Sequence, residues 1–205
     1  MAATKRTAAI QRKTKETAIR GRLTLDGRGK STVRTGIPFL DHMLELWTKH
    51  GFFDLELRAV GDLQIDCHHT NEDVGLVLGA ALKQALGEKR GITRFGHGEA
   101  YVPMDESLAR VVVDVSGRPR FQWDWHPKKT ERAFPAAGYT VSDAKHFLES
   151  VATKSELTIH VDVLKAGDDL HHVLEAVFKA FGRALSQAVA RDPRVRGVPS
   201  TKGRL

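Results

Sequence analysis

Hydrophobic positions along the chain switch between a period of two and a period near 3.6, and they run through that sequence of periods twice. Thr14 to Leu25 alternates as a strand and ends on Asp26-Gly27-Arg28-Gly29, residues tolerant of a tight turn. Lys30 to Thr35 reads as the return strand. A helix is expected from about Pro38, with Gly51 as its C-terminal cap. Phe53, Leu55 and Leu57 alternate on a further strand, Gly61-Asp62 turns the chain, and Leu63 to Asp66 reads as another strand. From His69 to Leu86, the residues Val74, Val77, Leu78, Ala81, Leu82 and Ala85 keep helical spacing. The second half repeats the plan, with strands at Gly98–Pro103, Leu108–Val115 and Arg120–Trp125. A loop from His126 to Tyr139 follows, then a helix at Ser142–Ala152, a strand at Glu156–Val163 and a last helix at Leu170–Ala190.

Each half therefore approximates strands–helix–strands–helix. The fold class is α+β, internally duplicated, with helices laid over one face of a sheet as a two-layer sandwich. The expected organisation is a mobile basic leader over 1–12, a first repeat over 13–92, a second over 93–192 and a basic C-terminal tail over 193–205. With 205 residues, 41% of them hydrophobic, the chain can bury a sizeable core. No apolar run approaches the roughly 20 residues that cross a bilayer, and no signal-peptide core stands near the start. The single Cys67 excludes an intrachain disulfide, so the expected setting is cytoplasmic.

Charge adds one distinction. Residues 1–34 carry net +8 and residues 191–205 net +4, leaving −5 of the total +7 for the body. Basic ends suit phosphate, but no zinc-finger, RRM-like or KH-like pattern accompanies them, so a small anionic substrate is expected rather than nucleic acid. Gly29-Lys30-Ser31 is not the end of a phosphate-binding loop, because Thr24 occupies the position of its first glycine.

The chemistry lies in a duplicated set of histidines. His42-Met43-Leu44-Glu45 is followed by His68-His69-x-x-Glu72, and His146-Phe147-Leu148-Glu149 by His171-His172-x-x-Glu175. Gly79 with Gly182, Leu82 with Leu185, and Gln84 with Gln187 continue the register. Positions three and four apart share a helix face, so each His-His-x-x-Glu is expected to present three ligand groups on one arc, with His42 and His146 supplied by the fold. Six imidazoles and two carboxylates suffice for two sites of three imidazoles and one carboxylate, each with open positions if octahedral. A mixed nitrogen and oxygen set without thiolates suits manganese or iron better than closed structural zinc. Isolated histidines more often cap helices or pack in cores; six in duplicated spacing do not fit that reading. Cys67 has no counterpart in the second copy and reads as an inert small side chain.

These strings resemble a known family. Lys15-Glu16-Thr17, Leu25-Asp26-Gly27-x-Gly29, Thr35-Gly36-Ile37-Pro38-Phe39-Leu40-Asp41-His42, His68-His69-Thr70-Asn71-Glu72-Asp73, Ser116-Gly117-Arg118-Pro119 and Pro199-Ser200-x-Lys202-Gly203 occur in the order seen in the imidazoleglycerol-phosphate dehydratases. The resemblance implies a ribosomal S5 domain 2-like duplicated fold, a shell of 24 subunits, and sites formed where subunits meet. It implies two Mn(II) ions per active site, no organic cofactor, and a small phosphorylated imidazole as the substrate, with no nucleic-acid or membrane partner. The implied ligands are His42, His68, His69, Glu72, His146, His171, His172 and Glu175. Glu16 matches the catalytic acid/base, and Arg94, Arg118, Ser200 and Lys202 match phosphate-binding residues. Leu46 departs from the pattern, where a phosphate-contacting glutamine is expected. The residues alone also allow Glu16 a surface ion pair with Arg20, and Arg118 a place as a surface charge. A dinuclear hydrolase and a metal-storing shell are the rival readings; product analysis separates the first, and independence from Glu16 the second.

Overall fold

The computed structural model describes residues 5–96, 100–126 and 138–205. The first repeat contains β1 (Thr7–Lys13), β2 (Thr17–Thr24), β3 (Ser31–Arg34), α1 (Pro38–Gly51), β4 (Asp54–Gly61) and α2 (His68–Leu86). The second contains β5 (Phe95–Gly96), β6 (Tyr101–Met104), β7 (Ser107–Asp114), β8 (Arg120–Trp125), α3 (Val141–Ser155), β9 (Thr158–Lys165) and α4 (Leu170–Val189). The first sheet has the order β1-β2-β4-β3. The second runs β5-β7-β9-β8, with β6 also on β7. In both, the two middle strands are antiparallel and the far edge strand is parallel to its neighbour. The duplication seen in the histidines is thus a duplication of topology.

Alternation builds the inner faces. Ile19, Leu23, Leu55 and Leu57 point inward from the first sheet; Val111, Val113, Ile159, Val161 and Val163 do so from the second. Helices cover one face of each sheet: α2 packs on β1 and β2, and α4 on β7. The repeats then meet helix to helix, α1 on α4 and α2 on α3. Both contacts are unusually close. A Cβ on Gly182 of α4 would lie 2.6 Å from the carbonyl oxygen of Trp47 in α1, and one on Gly79 of α2 would lie 2.6 Å from that of Val151 in α3. These two glycines occupy equivalent positions, so one device closes both halves of the interface.

Several expectations are corrected. Residues 7–13 are not a leader but the edge strand β1, with Ala8 and Ile10 buried and Thr7, Ala9 and Gln11 exposed between and beside them. Arg12 follows on the inner phase and pairs with Asp73 of α2 at 2.8 Å, so a charged residue continues the buried side and disguises the alternation. Residues 1–4 lie outside the described residues. β3 does not return against β2; it runs parallel to β4, reached through the chain reversal at Gly29. Leu63–Asp66 is a turn, closed by the Ile65 amide donating to the Asp62 carbonyl. Among the described residues no strand pairs with it, and Ile65 is exposed. Gly51 is the last residue of α1, whose left-handed cap is Phe52. Gly51 is needed for packing, since a Cβ there would press on the Phe53 ring and the Gly182 carbonyl. Residues 98–99 of the expected Gly98–Pro103 strand, and 127–137 of the expected loop, lie outside the described residues.

The close helix contact is open to a simple test. Alanine in place of an exposed helical glycine stabilises by about 1 kcal/mol, whereas forcing an atom into a packed interior costs about 1–3 kcal/mol. At a 2.6 Å approach to main chain the second effect dominates. Gly182→Ala and Gly79→Ala are each expected to lose about 1–2 kcal/mol in denaturant titration. An alanine variant as stable as its parent would show that the helices can part without cost.

Candidate metal centre

Residues of the two repeats are exchanged at the site. His42 of α1 lies with His171 and Glu175 of α4; His146 of α3 lies with His68 and Glu72 of α2. Within each group the potential ligand atoms are all within 4.8 Å of one another. His42 Nε2 is 2.7 Å and His171 Nε2 3.1 Å from the same oxygen, Glu175 Oε1. In the other group His146 Nε2 is 3.9 Å from Glu72 Oε1, and the His68 and His146 rings are 4.5 Å apart. Contacts climb each helix pair together, from His42 near Glu175 to Trp47 near Gly182. The paired helices therefore run in the same direction, which brings their N-terminal ends together. Asp169 caps α4 by accepting from the His171 amide, and Asp66 accepts from the His68 amide, so each His-His pair opens its helix.

The expected arc of three ligands is not what forms. Successive helical residues diverge by about 100°, and only the i,i+4 members, His68 with Glu72 and His171 with Glu175, share a group. His69 and His172 turn elsewhere. His69 Nδ1 donates to Asp62 Oδ2 at 2.8 Å, and His172 Nδ1 donates to Glu106, 3.0 and 3.2 Å from its two oxygens. A carboxylate can only accept, which sets the direction of both bonds. The Asp62 bond raises the pKa of His69, to which Glu16 adds by charge, and the Glu106 bond raises that of His172.

The two groups are not electrically alike. Burial works against ionisation of Glu175, but hydrogen bonds from Lys179, His42 and His171 outweigh it and hold its pKa at about 2. Lys179 Nζ donates to Glu175 Oε2 at 2.6 Å, with both side chains largely buried. The equivalent position in α2 is Leu76. Sequence reading missed Lys179, although its i,i+4 spacing from Glu175 was a usable signal. It also missed Asp62, Asp105 and Glu106, which come from turns and carry no periodic signal. Cys67 is half-buried at the start of α2, and burial pushes its thiol pKa up.

Glu16 is exposed in the turn between β1 and β2 and lines the same surface depression as Asp62. Among the described residues it makes no ion pair with Arg20. The phosphate candidates gather elsewhere. Arg94 grips Asp114 through Nε and Nη2 and donates from Nη1 to the Pro199 carbonyl at 3.0 Å, which fixes the segment bearing Ser200 and Lys202. Arg118 follows Gly117, which packs against the C-terminal Leu205. Leu46 is partly buried against the core. The Arg94 amide bonds the Ala188 carbonyl, in the last turn of α4. His171 stands 17 residues earlier on the same helix, so roughly 25 Å separates that end from the histidines at 1.5 Å per residue. The metal-type and phosphate-type residues of one chain do not meet.

Comparison with known proteins identifies the family. The family model described as imidazoleglycerol-phosphate dehydratase matches residues 35–185. A relative of that name from Pelobacter propionicus is 50% identical over 200 residues, covering 98% of this chain and 99% of its own. One from Bacillus subtilis is 48% identical over 203 residues, covering 98% and 100%. The imidazoleglycerol-phosphate dehydratase structure from Staphylococcus aureus superposes with a TM-score of 0.76 at 34% identity, over 90% of this chain and 100% of that one. The Pyrococcus furiosus enzyme, in complex with (S)-C348, gives 0.79 at 36% identity, over 96% and 100%. With the family model spanning most of its length and relatives half identical from end to end, the chain belongs to the imidazoleglycerol-phosphate dehydratases, hydro-lyases of histidine biosynthesis.

Proposed function

We propose that this chain removes water from D-erythro-imidazole-glycerol phosphate to give imidazole-acetol phosphate, and that it does so with Mn(II) at sites completed between copies. The observation that carries the reading is the separation within one chain of two His-His-Glu groups from the phosphate candidates. One small substrate cannot span both ends of α4, but a site bordered by two chains can use one end from each.

The donor set fits the ion. Each group offers two imidazoles and one carboxylate, fewer donors than an octahedral ion takes. One outward-facing His69 or His172 from a neighbouring copy brings each to three imidazoles and one carboxylate, leaving two positions for substrate. When bound, such ions would supply Lewis-acid stabilisation of negative charge on the substrate ring. The protein's own part is positioning and proton transfer. Among the described residues three of the five Arg94 donors are engaged, and the other two suit phosphate oxygens. Arg118, Ser200 and Lys202 add charge and a hydroxyl. Glu16, exposed and close enough to His69 to affect its charge, is suited to take the carbon-bound proton and return it to the departing hydroxyl. A large closed homo-oligomer, of 24 copies by family likeness, and a cytoplasmic location complete the proposal. Among the described residues no helix is long and apolar enough to cross a membrane.

Incubating the Mn(II)-loaded protein with imidazole-glycerol phosphate and following the enolisable ketone tests the reaction; no product would sink it. Metal binding that draws on two chains should stabilise the assembly by linkage. Chelation at neutral pH is therefore expected to yield smaller particles, and Mn(II) to restore the large one. Light scattering that gives one mass in both states would refute the shared site.

Two substitutions separate chemistry from binding. Glu16→Gln keeps the side chain's shape but cannot exchange a proton, so turnover should fall by roughly 10²-fold or more with metal content unchanged. Lys202→Ala should chiefly raise KM, through a lost charge contact to phosphate. Near-normal turnover in the glutamine variant would require another base.

A further inference from the structure

Asp62 and Glu106 do the same thing from positions that the duplication does not relate. Each accepts the Nδ1–H of the histidine that its own group leaves out, His69 and His172. The duplication relates Glu106 to a different residue. β2 and β7 are equivalent strands, with Arg20 opposite Arg58 and Arg110 opposite Asp162. In each repeat the turn before that strand ends in a glutamate followed by a buried hydroxyl residue, Glu16-Thr17 and Glu106-Ser107. Glu106 is therefore the duplicate of Glu16. Asp62 is the first residue after β4, and the first residue after the equivalent β9 is Ala166, which has no group to offer.

We infer that Asp62 and Glu106 are positioning residues that fix His69 and His172 with Nδ1 protonated and Nε2 free as an outward donor for metal, and that Asp62 thereby releases Glu16 from the task its duplicate still performs. The inference rests on the proposed metal-dependent reading. Which ring nitrogen carries the proton is set by the partner of the other one, and an orienting carboxylate behind a ligating histidine fixes its tautomer and ring plane. Among the described residues no hydrogen bond engages Nε2 of either ring; Asp105 Oδ2, at 3.6 Å from His172 Nε2, is beyond bonding distance. The second repeat needs its turn glutamate to hold His172. The first holds His69 with Asp62, so Glu16 keeps both oxygens for proton transfer. One ancestral position has become a positioning group in one repeat and a proton-transfer group in the other.

The test uses the full-length protein. In the parent without metal, 15N spectra of the neutral rings should show His69 and His172 protonated at Nδ1; the opposite tautomer would overturn the inference without any substitution. Asp62→Asn and Glu106→Gln are expected to weaken Mn(II) binding by roughly 10- to 100-fold and to shift the tautomer of the histidine each one holds, with the lost turnover recovered by raising Mn(II). Glu16→Gln should do the reverse, losing turnover that no Mn(II) concentration restores while binding the ion as the parent does. Unchanged Mn(II) affinity in Glu106→Gln, or a loss of turnover that saturating Mn(II) leaves in place, would overturn the division of roles. A parent protein that neither binds Mn(II) nor forms product would instead overturn the functional reading beneath it.

Discussion

Two glycines on equivalent helices set the geometry on which the rest of the molecule depends. Gly182 lets the backbone of α1 lie against α4, and Gly79 lets α3 lie against α2. Any side chain at either place would push the helices apart one to two turns beyond the candidate ligands. Because the paired helices run in the same direction, closing them at Gly182 and Gly79 also draws together their first two turns, where His42 faces Glu175 and His146 faces Glu72. Neither repeat holds a complete group alone. The duplication thus has a physical use: each half supplies the lone histidine that the other half lacks, and both must fold for either group to exist.

How much was legible in the sequence follows from what each feature depends on. The four helices and their apolar faces are local, and period 3.6 reveals them. His68 with Glu72, and His171 with Glu175, are local as well. Which lone histidine joins which pair depends on how helices cross between repeats, and spacing along the chain contains no such information. Strand β1 was hidden because only Ala8 and Ile10 mark its inner face and basic residues stand at both ends, Lys5 and Arg6 before it and Arg12 and Lys13 closing it, so the charge of the segment spoke more loudly than two buried positions. The parallel pairing of β3 with β4 joins strands across an intervening helix, and a turn-rich Asp26–Gly29 suggested the nearer partner. Asp62 and Glu106 reach their histidines from turns, one of them 66 residues away. Spacing cannot disclose a contact of that kind.

The symmetry is also broken where chemistry is concentrated. Lys179 occupies one oxygen of Glu175, while Leu76 leaves Glu72 without such a partner. Glu175 is largely buried, and an unpaired carboxylate there would be costly. Lysine and two imidazoles supply the compensation that water gives the half-exposed Glu72. On the proposed reading one carboxylate therefore offers an ion a single free oxygen and the other offers two. Two centres derived from one ancestor need not bind alike, and a difference in affinity between them would follow from this one position.

Placing metal-type residues at helix N-terminal ends and phosphate-type residues near the opposite ends costs the isolated chain its activity, on the reading proposed here. It gives control in return. On that reading a ligand group short of donors, next to a histidine already oriented by Asp62 or Glu106, would bind an ion weakly until a second chain arrived, and the second chain would be held more firmly once the ion was bound. By reciprocal linkage each event strengthens the other by the same factor. The carboxylates behind His69 and His172 lower the cost of that encounter, because the imidazole is already in the tautomer and ring plane it must adopt. A chain with the same ligands but freely rotating histidines would have to order them at the moment of assembly, at roughly 0.5–1.5 kcal/mol for each side chain immobilised. If copies close into a shell as proposed, that difference would recur at every contact between them and would favour the large particle over its fragments.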